Sequence, residues 1–222
     1  METIQINKTQ KLGSMNFKKQ VDKTHYEFKN YMTKERWSSF WHQLDEAAQL
    51  KPEKILEVGP GSGVFKQMSS LLGVVVETLD LDPELAPDHV ASATELPFSK
   101  NTYDVVCAFQ MLEHLPYETS LLAFSEMGRA SQRYILISLP DAQAVWRCQF
   151  HIPKLGISNI LVPRPRLKAK AHEFDGEHYW EINKRGYKLN RVINDFSKSG
   201  VQLIKTYRVY ENPYHRFFVF EK

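Results

Sequence analysis

Apolar residues recur at steps of three and four between about Thr33 and Leu50, a spacing that predicts an amphipathic helix. The apolar positions of this helix are Trp37, Phe40, Trp41, Leu44 and Ala48. Because such a face must be covered, we assign residues 17–50 to an N-terminal helical cap. The polar residues 1–16 before it are expected to be flexible.

From Lys54 the pattern changes to short runs of strand-like composition. These runs are KILEV, VVVETL, YDVVCAF and RYILISL, with helices expected to start between them near Ser62 and Pro116. Strands that alternate with helices favour parallel pairing. The pattern therefore predicts an α/β fold with a doubly wound, mostly parallel sheet.

The tail of the chain has a different pattern. Apolar side chains share one face of a predicted helix at Leu189, Val192, Ile193 and Phe196. Gly200 follows as a capping residue. Two strand-like runs, VQLIKTYRVY and YHRFFVFEK, then flank the turn signal Asn212-Pro213. We expect an antiparallel C-terminal hairpin that closes the sheet, and a single domain over residues 1–222.

The stretch KILEVGPGSGVF sets three glycines directly behind the first strand run. A glycine-rich turn between a strand and a helix lets a ligand approach the backbone, and open sheets bind ligands at this edge. A dinucleotide fingerprint would need its third glycine where Val64 stands. Asp80 ends the next strand run, where its carboxylate can accept hydrogen bonds from both hydroxyls of a ribose. A ribose-bearing cofactor that does not need the full pyrophosphate loop fits best.

Four motifs occur in order along the chain: EVGPGSG, VETLDLDP, ATELPF and YDVVCAFQMLEHLP. Together they resemble the successive motifs of the class I S-adenosylmethionine-dependent methyltransferases, a Rossmann-like family. The resemblance runs from about Ile55 to Leu139. It implies S-adenosylmethionine as the cofactor and methyl transfer as the activity.

The resemblance also implies a set of cofactor-binding residues: Glu57, Gly59, Pro60, Gly61, Gly63, Asp80, Leu81, Ser92, Ala93 and Gln110. The first five would surround the methionine part, Asp80 would hold the ribose, Leu81 would lie against the adenine, and Gln110 would face the sulfonium. Many members have an acid where Ser92 stands, so backbone groups of Ser92 and Ala93 would serve the adenine amino group here. Each feature also has a structural explanation when taken singly. A glycine turn can simply reverse the chain, and an Asp after a strand can cap a helix.

In this family a leading helix often covers the cofactor. The aromatic residues Trp37, Phe40 and Trp41 of the predicted cap offer large surfaces suited to closing a pocket. The alternative is that this helix only packs on the sheet as core. Both interpretations are open at the level of the sequence.

Residues 141–180 form a predicted insertion that would contribute to the acceptor pocket. Its part from 142 to 171 contains no Asp or Glu but six basic residues, interleaved with apolar ones. The basic residues are Arg147, Lys154, Arg164, Arg166, Lys168 and Lys170. We interpret the segment, expected to have little regular structure, as a lid or docking surface for an anionic or lipid-linked acceptor. The alternative is a surface excursion with solvated cations.

Three histidines are candidate general bases, because histidine titrates near neutral pH. They are His114 in MLEHLP and His172 and His178 in HEFDGEHYWEI, although each is also consistent with ordinary packing. The second stretch matches no metal-ligand spacing, so no metal is expected. It is interpreted as a polar wall of the acceptor pocket or as a solvated turn.

Composition adds few constraints. With 42% hydrophobic and 25% charged residues and a net charge of +3, a nucleic-acid partner is not expected. Apolar runs stay below the roughly 18 to 20 residues of a membrane span, and a secretory signal is not evident. We therefore expect a cytoplasmic protein, with peripheral membrane contact as an open alternative.

The sequence thus predicts S-adenosylmethionine-dependent methyl transfer to a small-molecule or glycan acceptor, on oxygen. One alternative is a methyltransferase that acts on nitrogen, on carbon or on a lipid headgroup. The other alternative is a non-catalytic protein that retains the cofactor fold.

Overall fold

The computed structural model describes residues 23–222, apart from residues 155 and 167. Residues 1–16, which are expected to be flexible, lie outside the described residues. Residues 17–22, the first part of the predicted cap, lie outside them as well. Within the described part of the chain, no helix is long and apolar enough to cross a membrane.

Nine strands form two sheets within these described residues. The strands are β1 Lys54–Val58, β2 Val75–Asp80, β3 His89–Val90, β4 Tyr103–Phe109, β5 Ser131–Pro140, β6 Val145–Ile152, β7 Gly156–Pro163, β8 Gln202–Arg208 and β9 His215–Glu221. Seven of them form the main sheet in the order β3-β2-β1-β4-β5-β9-β8. The first five are parallel, whereas β9 runs antiparallel to both β5 and β8. The predicted fold class, a mostly parallel α/β sheet with an antiparallel C-terminal hairpin, is confirmed.

Five α-helices accompany the strands in the same part of the chain. They are α1 Phe28–Tyr31, α2 Lys34–Leu50, α3 Val64–Leu71, α4 Tyr117–Ala130 and α5 Leu189–Ser197. Short 3₁₀ turns lie at Lys23–Tyr26, Pro83–Leu85 and Leu112–His114. The predicted helix starts at Ser62 and Pro116 agree with α3 and α4 to within two residues.

The main sheet is buried on both faces. Neighbouring residues of the same strand enter different cores, as Phe217 and Val219 of β9 join one cluster while Phe218 and Phe220 join the other. All four are at most 1% exposed. Strands covered on both sides are apolar throughout rather than alternating, which explains the continuous runs in the sequence.

The buried face of α2 differs from the predicted one. The helix buries Ser39, Phe40, Gln43, Glu46 and Ala47, whereas Trp37 and Trp41 are 51% and 59% exposed and Ala48 is exposed. Polar residues lie on the buried face because the protein supplies partners, as when Lys205 donates to Glu46 Oε1 over 2.6 Å. Of the three aromatic residues considered for the cap, only Phe40 is buried.

The basic segment has more regular structure than expected. Strands β6 and β7 pair antiparallel over eight residues each and form a second, two-stranded sheet. The expectation of little regular structure over 142–171 is therefore wrong. The missed signal is the period of two in VWRCQFHI, which places Trp146, Cys148, Phe150 and Ile152 on one face.

Candidate cofactor and acceptor site

The glycine turn lies between β1 and α3 at the carboxyl edge of the main sheet. Gly59 and Gly61 have φ of 74° and 52°, in the left-handed region that favours glycine. A Cβ atom at Gly59 would stand 2.5 Å from Met111 Cγ, and one at Gly61 would stand 3.0 Å from the Tyr26 ring. The side chains of Met111 and Tyr26 therefore lie close to the backbone of the glycine turn.

A cavity of about 100 Å³ opens beside this turn. Five residues predicted from the motifs line it: Gly59, Asp80, Leu81, Ser92 and Ala93. The ends of β1 and β2 contribute Val58 and Leu79, and the segment after β4 contributes Met111 and Leu115. Both residues of that segment belong to the motif MLEHLP. Only the polar members of this motif were considered as functional residues in the sequence.

Asp80 stands at the end of β2, and its Oδ1 accepts a hydrogen bond from the Asp82 amide over 2.8 Å. Burial raises the pKa of its carboxyl above the usual range. Hydrogen bonds from ribose hydroxyls would offset that loss of solvation. The position and the chemistry of Asp80 therefore suit the predicted role.

Glu57 is 3% exposed at the end of β1, and its Oε2 has no hydrogen-bond partner among the described residues. Burial raises the pKa of this carboxyl to about 8, although Lys66 acts in the opposite direction. A buried carboxylate without a partner is costly. A cationic group placed against it would remove that cost.

Gln110 ends β4 with φ of 52°, which is unusual for a residue other than glycine. Its backbone amide donates to Ser138 O over 3.0 Å, and its side-chain Nε2 donates to Ser138 Oγ over 3.2 Å. Gln110 therefore lies at the predicted edge, but it is held against β5 and is not among the residues that line the cavity.

The segment before α2 covers the glycine turn, an arrangement that the sequence did not indicate. Tyr26 packs on Gly61 and lies edge-on to Tyr31, with ring centroids 5.1 Å apart. The Arg36 guanidinium lies 3.9 Å from the centre of the Tyr31 ring. Burial raises the pKa of Tyr26, and the charges of Asp80 and Glu177 act in the same direction. The glycine turn is thus covered by Tyr26, whereas Trp37 and Trp41 are exposed.

The three candidate histidines come together at one place. His114 Nδ1 lies 3.1 Å from Glu177 O, His172 Nε2 lies 2.7 Å from His178 O, and the rings of His114 and His178 are 5.0 Å apart. Burial, with a smaller effect from His178, lowers the pKa of His114 to about 4. His114 is therefore a weak base at neutral pH.

His178 has a different environment. Its Nδ1 lies 3.4 Å from Glu181 Oε1, which also accepts a hydrogen bond from Tyr214 Oη over 2.9 Å. Burial acts to lower the pKa of His178, but the hydrogen bond to Glu181 and the nearby charge of Glu113 outweigh it, so the pKa is raised. His178, Glu181 and Tyr214 therefore form a connected network, while Phe174 and Asp175 of the same stretch are exposed. A wall of the acceptor pocket stays a prediction.

Glu113 is fully buried, and neither of its carboxylate oxygens has a hydrogen-bond partner in the part of the chain that the structure describes. Burial raises its pKa to about 7, while His178 acts to lower it. Ligand atoms of Glu113, His114 and His178 lie within 4.8 Å of one another, as do those of Asp175, His178 and Glu181. The expectation that no metal binds stays a prediction.

The profile of a family described as a methyltransferase domain matches residues 28–189, well over half of the chain. The chain belongs to this family. The match confirms the family that the four motifs predicted, the class I S-adenosylmethionine-dependent methyltransferases. It also confirms S-adenosylmethionine as the cofactor of that family.

Curated relatives match a smaller part of this methyltransferase. It is 30% identical over 95 residues to the ubiquinone biosynthesis O-methyltransferase of Burkholderia multivorans, a match that covers 36% of this chain and 41% of that protein. The corresponding protein of Saccharophagus degradans matches at the same identity and length and is covered to 40%. The aligned part is thus about two fifths of these relatives.

Solved structures share the fold at low sequence identity. The 1,6-didemethyltoxoflavin-N1-methyltransferase of Burkholderia thailandensis, crystallised with its named ligand and S-adenosylhomocysteine, aligns with a TM-score of 0.57 at 12% identity. That alignment covers 90% of this chain and 84% of the other. The magnesium protoporphyrin IX methyltransferase of Synechocystis, with bound S-adenosylmethionine, gives 0.53 at 14% identity over 85% and 79% of the two chains.

The residues of this methyltransferase fit S-adenosylmethionine. The carboxylate of Glu57, whose Oε2 lacks a partner among the described residues, suits the amino group of the methionine part, and Asp80 suits the ribose hydroxyls. The cavity between Leu81, Ala93 and Leu115 offers apolar walls for the adenine. The hydroxyl of Ser92 is already engaged with Thr94 Oγ1 over 2.8 Å, so an adenine amino group there would meet backbone groups.

Proposed function

We propose that this methyltransferase transfers the methyl group of S-adenosylmethionine to an oxygen atom of a small-molecule or glycan acceptor, and that His178 takes the acceptor proton. The observation that carries the proposal is the network of His178, Glu181 and Tyr214. The His178 ring lies 5.0 Å from that of His114, which stands between the cavity-lining residues Met111 and Leu115. A hydroxyl acceptor needs a base because it is a poor nucleophile while protonated. A histidine paired with a carboxylate supplies one.

The network also determines which nitrogen acts. When His178 donates its Nδ1–H to Glu181, the lone pair lies on Nε2, which is then the proton acceptor. Glu181 keeps the ring in this tautomer and stabilises the imidazolium that forms. Tyr214 donates to the same carboxylate oxygen and fixes its position.

When bound, S-adenosylmethionine supplies a methyl group that is already activated by the positive sulfur. With Glu57 and Asp80 holding the cofactor, the acceptor hydroxyl would take this methyl group, S-adenosylhomocysteine would be the other product, and the hydroxyl proton would pass to His178 Nε2. The remaining task of the protein is to hold the reacting atoms in line, which is worth up to roughly 7 to 11 kcal/mol. Tyr26, packed on Gly61 with Tyr31 beside it, would limit the access of water to the glycine turn.

The names of the relatives support oxygen as the acceptor atom, since the curated proteins are O-methyltransferases. A solved structure of the same fold is named as an N-methyltransferase, so the fold alone does not decide the atom. The base beside the cofactor site therefore carries the argument for a hydroxyl.

The proposal is tested by measuring S-adenosylhomocysteine production with a panel of phenols, sugars and amines. We expect turnover with a hydroxyl compound, and a loss of about 10² to 10⁴ in rate for His178→Gln with unchanged affinity for S-adenosylmethionine. His151→Gln, an exposed histidine of β6, is the matched control and should retain full activity.

Three results would contradict the proposal. Turnover with amines alone would move the acceptor atom to nitrogen. Full activity of His178→Gln would show that His178 is not the general base. Cofactor binding without product from any acceptor would favour a non-catalytic protein.

A further inference from the structure

The hairpin of residues 145–163, called the arm below, has one apolar face. Residues directly opposite in an antiparallel pair lie on the same face, and Trp146 pairs with Val162 and Cys148 with Ile160. Alternation adds Phe150 and Ile152 to this face. The other face is mixed, with Arg147, Gln149, His151 and Asn159 beside Ile157 and Leu161.

The apolar face of the arm is open. Its five large side chains are Phe150, Trp146, Ile160, Ile152 and Val162, with exposed fractions of 53%, 49%, 48%, 41% and 38%. Contiguous exposed apolar surface of this kind marks an interaction site. A two-stranded sheet is also marginally stable by itself, so a covering partner would stabilise it.

Charge decides what kind of partner suits the arm. The six basic residues of 142–171 have no acidic residue among them. Lys154 lies between the two strands, and the Arg164 guanidinium lies 5.8 Å from the centre of the Trp146 ring, so cations flank the apolar face at both ends. Two copies packed face to face would bring these cations together, whereas an anionic surface would neutralise them.

The arm leaves the sheet beside the acceptor site. It follows β5, whose carboxyl end is continued by the buried Asp141, and Asp141 accepts hydrogen bonds from Arg216 Nε over 2.8 Å and Asn183 Nδ2 over 2.9 Å. Ile182 N donates to Pro140 O where the insertion returns. The base of the arm is thus fixed to the same segment that carries His178.

We infer that the arm docks this protein on an anionic lipid bilayer. Trp146, Phe150 and Ile152 enter the boundary between headgroups and acyl chains, while Lys154 and Arg164 meet the lipid phosphates. Aromatic rings suit this boundary, and basic residues beside an apolar face add electrostatic attraction to anionic lipids. Docking through the arm is independent of which acceptor atom is methylated.

The test is flotation of the whole protein with vesicles of phosphatidylcholine alone or of phosphatidylcholine with phosphatidylglycerol. We expect binding to the anionic vesicles only, weakened by salt because part of the attraction is electrostatic. Phe150→Ser should reduce the bound fraction by about tenfold or more. Leu71→Ser, which removes an 81% exposed residue of α3, is the matched control and should bind normally.

A second measurement locates the contact. Intrinsic fluorescence should shift to shorter wavelength on anionic vesicles, and Trp146→Phe should abolish most of this shift while binding persists. Undiminished flotation of Phe150→Ser would assign the contact to another surface. Absence of flotation, with light scattering showing a dimer that Phe150→Ser dissociates, would instead assign the face to a second copy. Absence of both would also overturn the inference. None of these results depends on methyl transfer.

Discussion

The two halves of the site hold their polar groups in different ways. On the cofactor side, Glu57 and Asp80 stand at the ends of neighbouring strands; Glu57 Oε2 lacks a partner among the described residues, and Asp80 Oδ1 accepts from a backbone amide. On the acceptor side, His178 bonds to Glu181 three residues away, and Tyr214, from a distant part of the chain, bonds to both. The Glu57 oxygen is thus left without a partner among the described residues, whereas these three side chains satisfy one another.

The largest expected effect falls on the cofactor side. Gly61→Val should abolish binding of S-adenosylmethionine, because a branched side chain in the left-handed region would be strained and would stand against Tyr26. Calorimetry measures the affinity and circular dichroism the fold. Gly73→Val is the matched control, since Gly73 has φ of 85° but a Cβ there would meet nothing within 4 Å among the described residues. If both variants bind normally, the turn is only a chain reversal.

Asp80→Ala should lower the affinity for S-adenosylmethionine by a few kcal/mol, the scale of charge-assisted hydrogen bonds to a ribose. Titration calorimetry gives the difference directly. Asp82→Ala is the comparison, because the Asp82 carboxylate accepts from the Glu84 amide in the following turn. An unchanged affinity for Asp80→Ala would remove Asp80 from the site.

Glu57→Gln should weaken cofactor binding and yet stabilise the ligand-free protein at high pH. The pKa of Glu57 is about 8 in the folded protein, above its ordinary value of about 4.5 in the unfolded chain. The free energy of unfolding of the wild type therefore falls as the pH rises from about 4.5 through about 8. Glutamine does not ionise, and the variant should exceed the wild type by a few kcal/mol above pH 8. Chemical unfolding at several pH values measures the difference. A gain that does not grow with pH would contradict the explanation.

On the acceptor side, Glu181→Gln should shift the pH dependence of kcat/KM. His178 must be neutral to act as a base, so the rate rises with pH through its raised pKa. Without the carboxylate the imidazolium is less stable, its pKa falls, and the rising limb moves to lower pH. Glu113→Gln serves as the comparison, since the pKa of Glu113 is raised to about 7 and its charge also raises that of His178, so it should move the limb in the same direction but by less. A limb that moves only with Glu113→Gln would assign the titration to that carboxyl.

The smallest effect should be found in α2. Its buried face contributes Ala47 to a core cluster, so backbone hydrogen exchange over 34–50 should be slow with or without ligand. Residues 23–31 lie over the glycine turn, and their exchange should slow on adding S-adenosylhomocysteine. Mass spectrometry resolves the two segments. Equal slowing of hydrogen exchange in both segments would indicate that α2 also covers the cofactor.

The strands and the turn that carry the cofactor-side residues could be predicted from the sequence because local rules govern them. Strand runs, a glycine turn and an acid at a strand end are readable from neighbouring residues, and β1 and β4 have the same bounds as their predicted runs. The acceptor side depends on tertiary packing. Nothing local indicates that His178 would meet Tyr214, that Tyr26 would cover Gly61, or that Glu46 would find Lys205.

The place of β9 has a consequence for how the protein is made. This strand enters the sheet between β5 and β8, and its residues supply both cores at once. During synthesis, a chain that has emerged only as far as β8 lacks the strand that joins β8 to the rest of the sheet. Non-local strand pairing of this kind is slow and leaves apolar edges exposed. Strand β8 can therefore join the main sheet only after β9 has been synthesised.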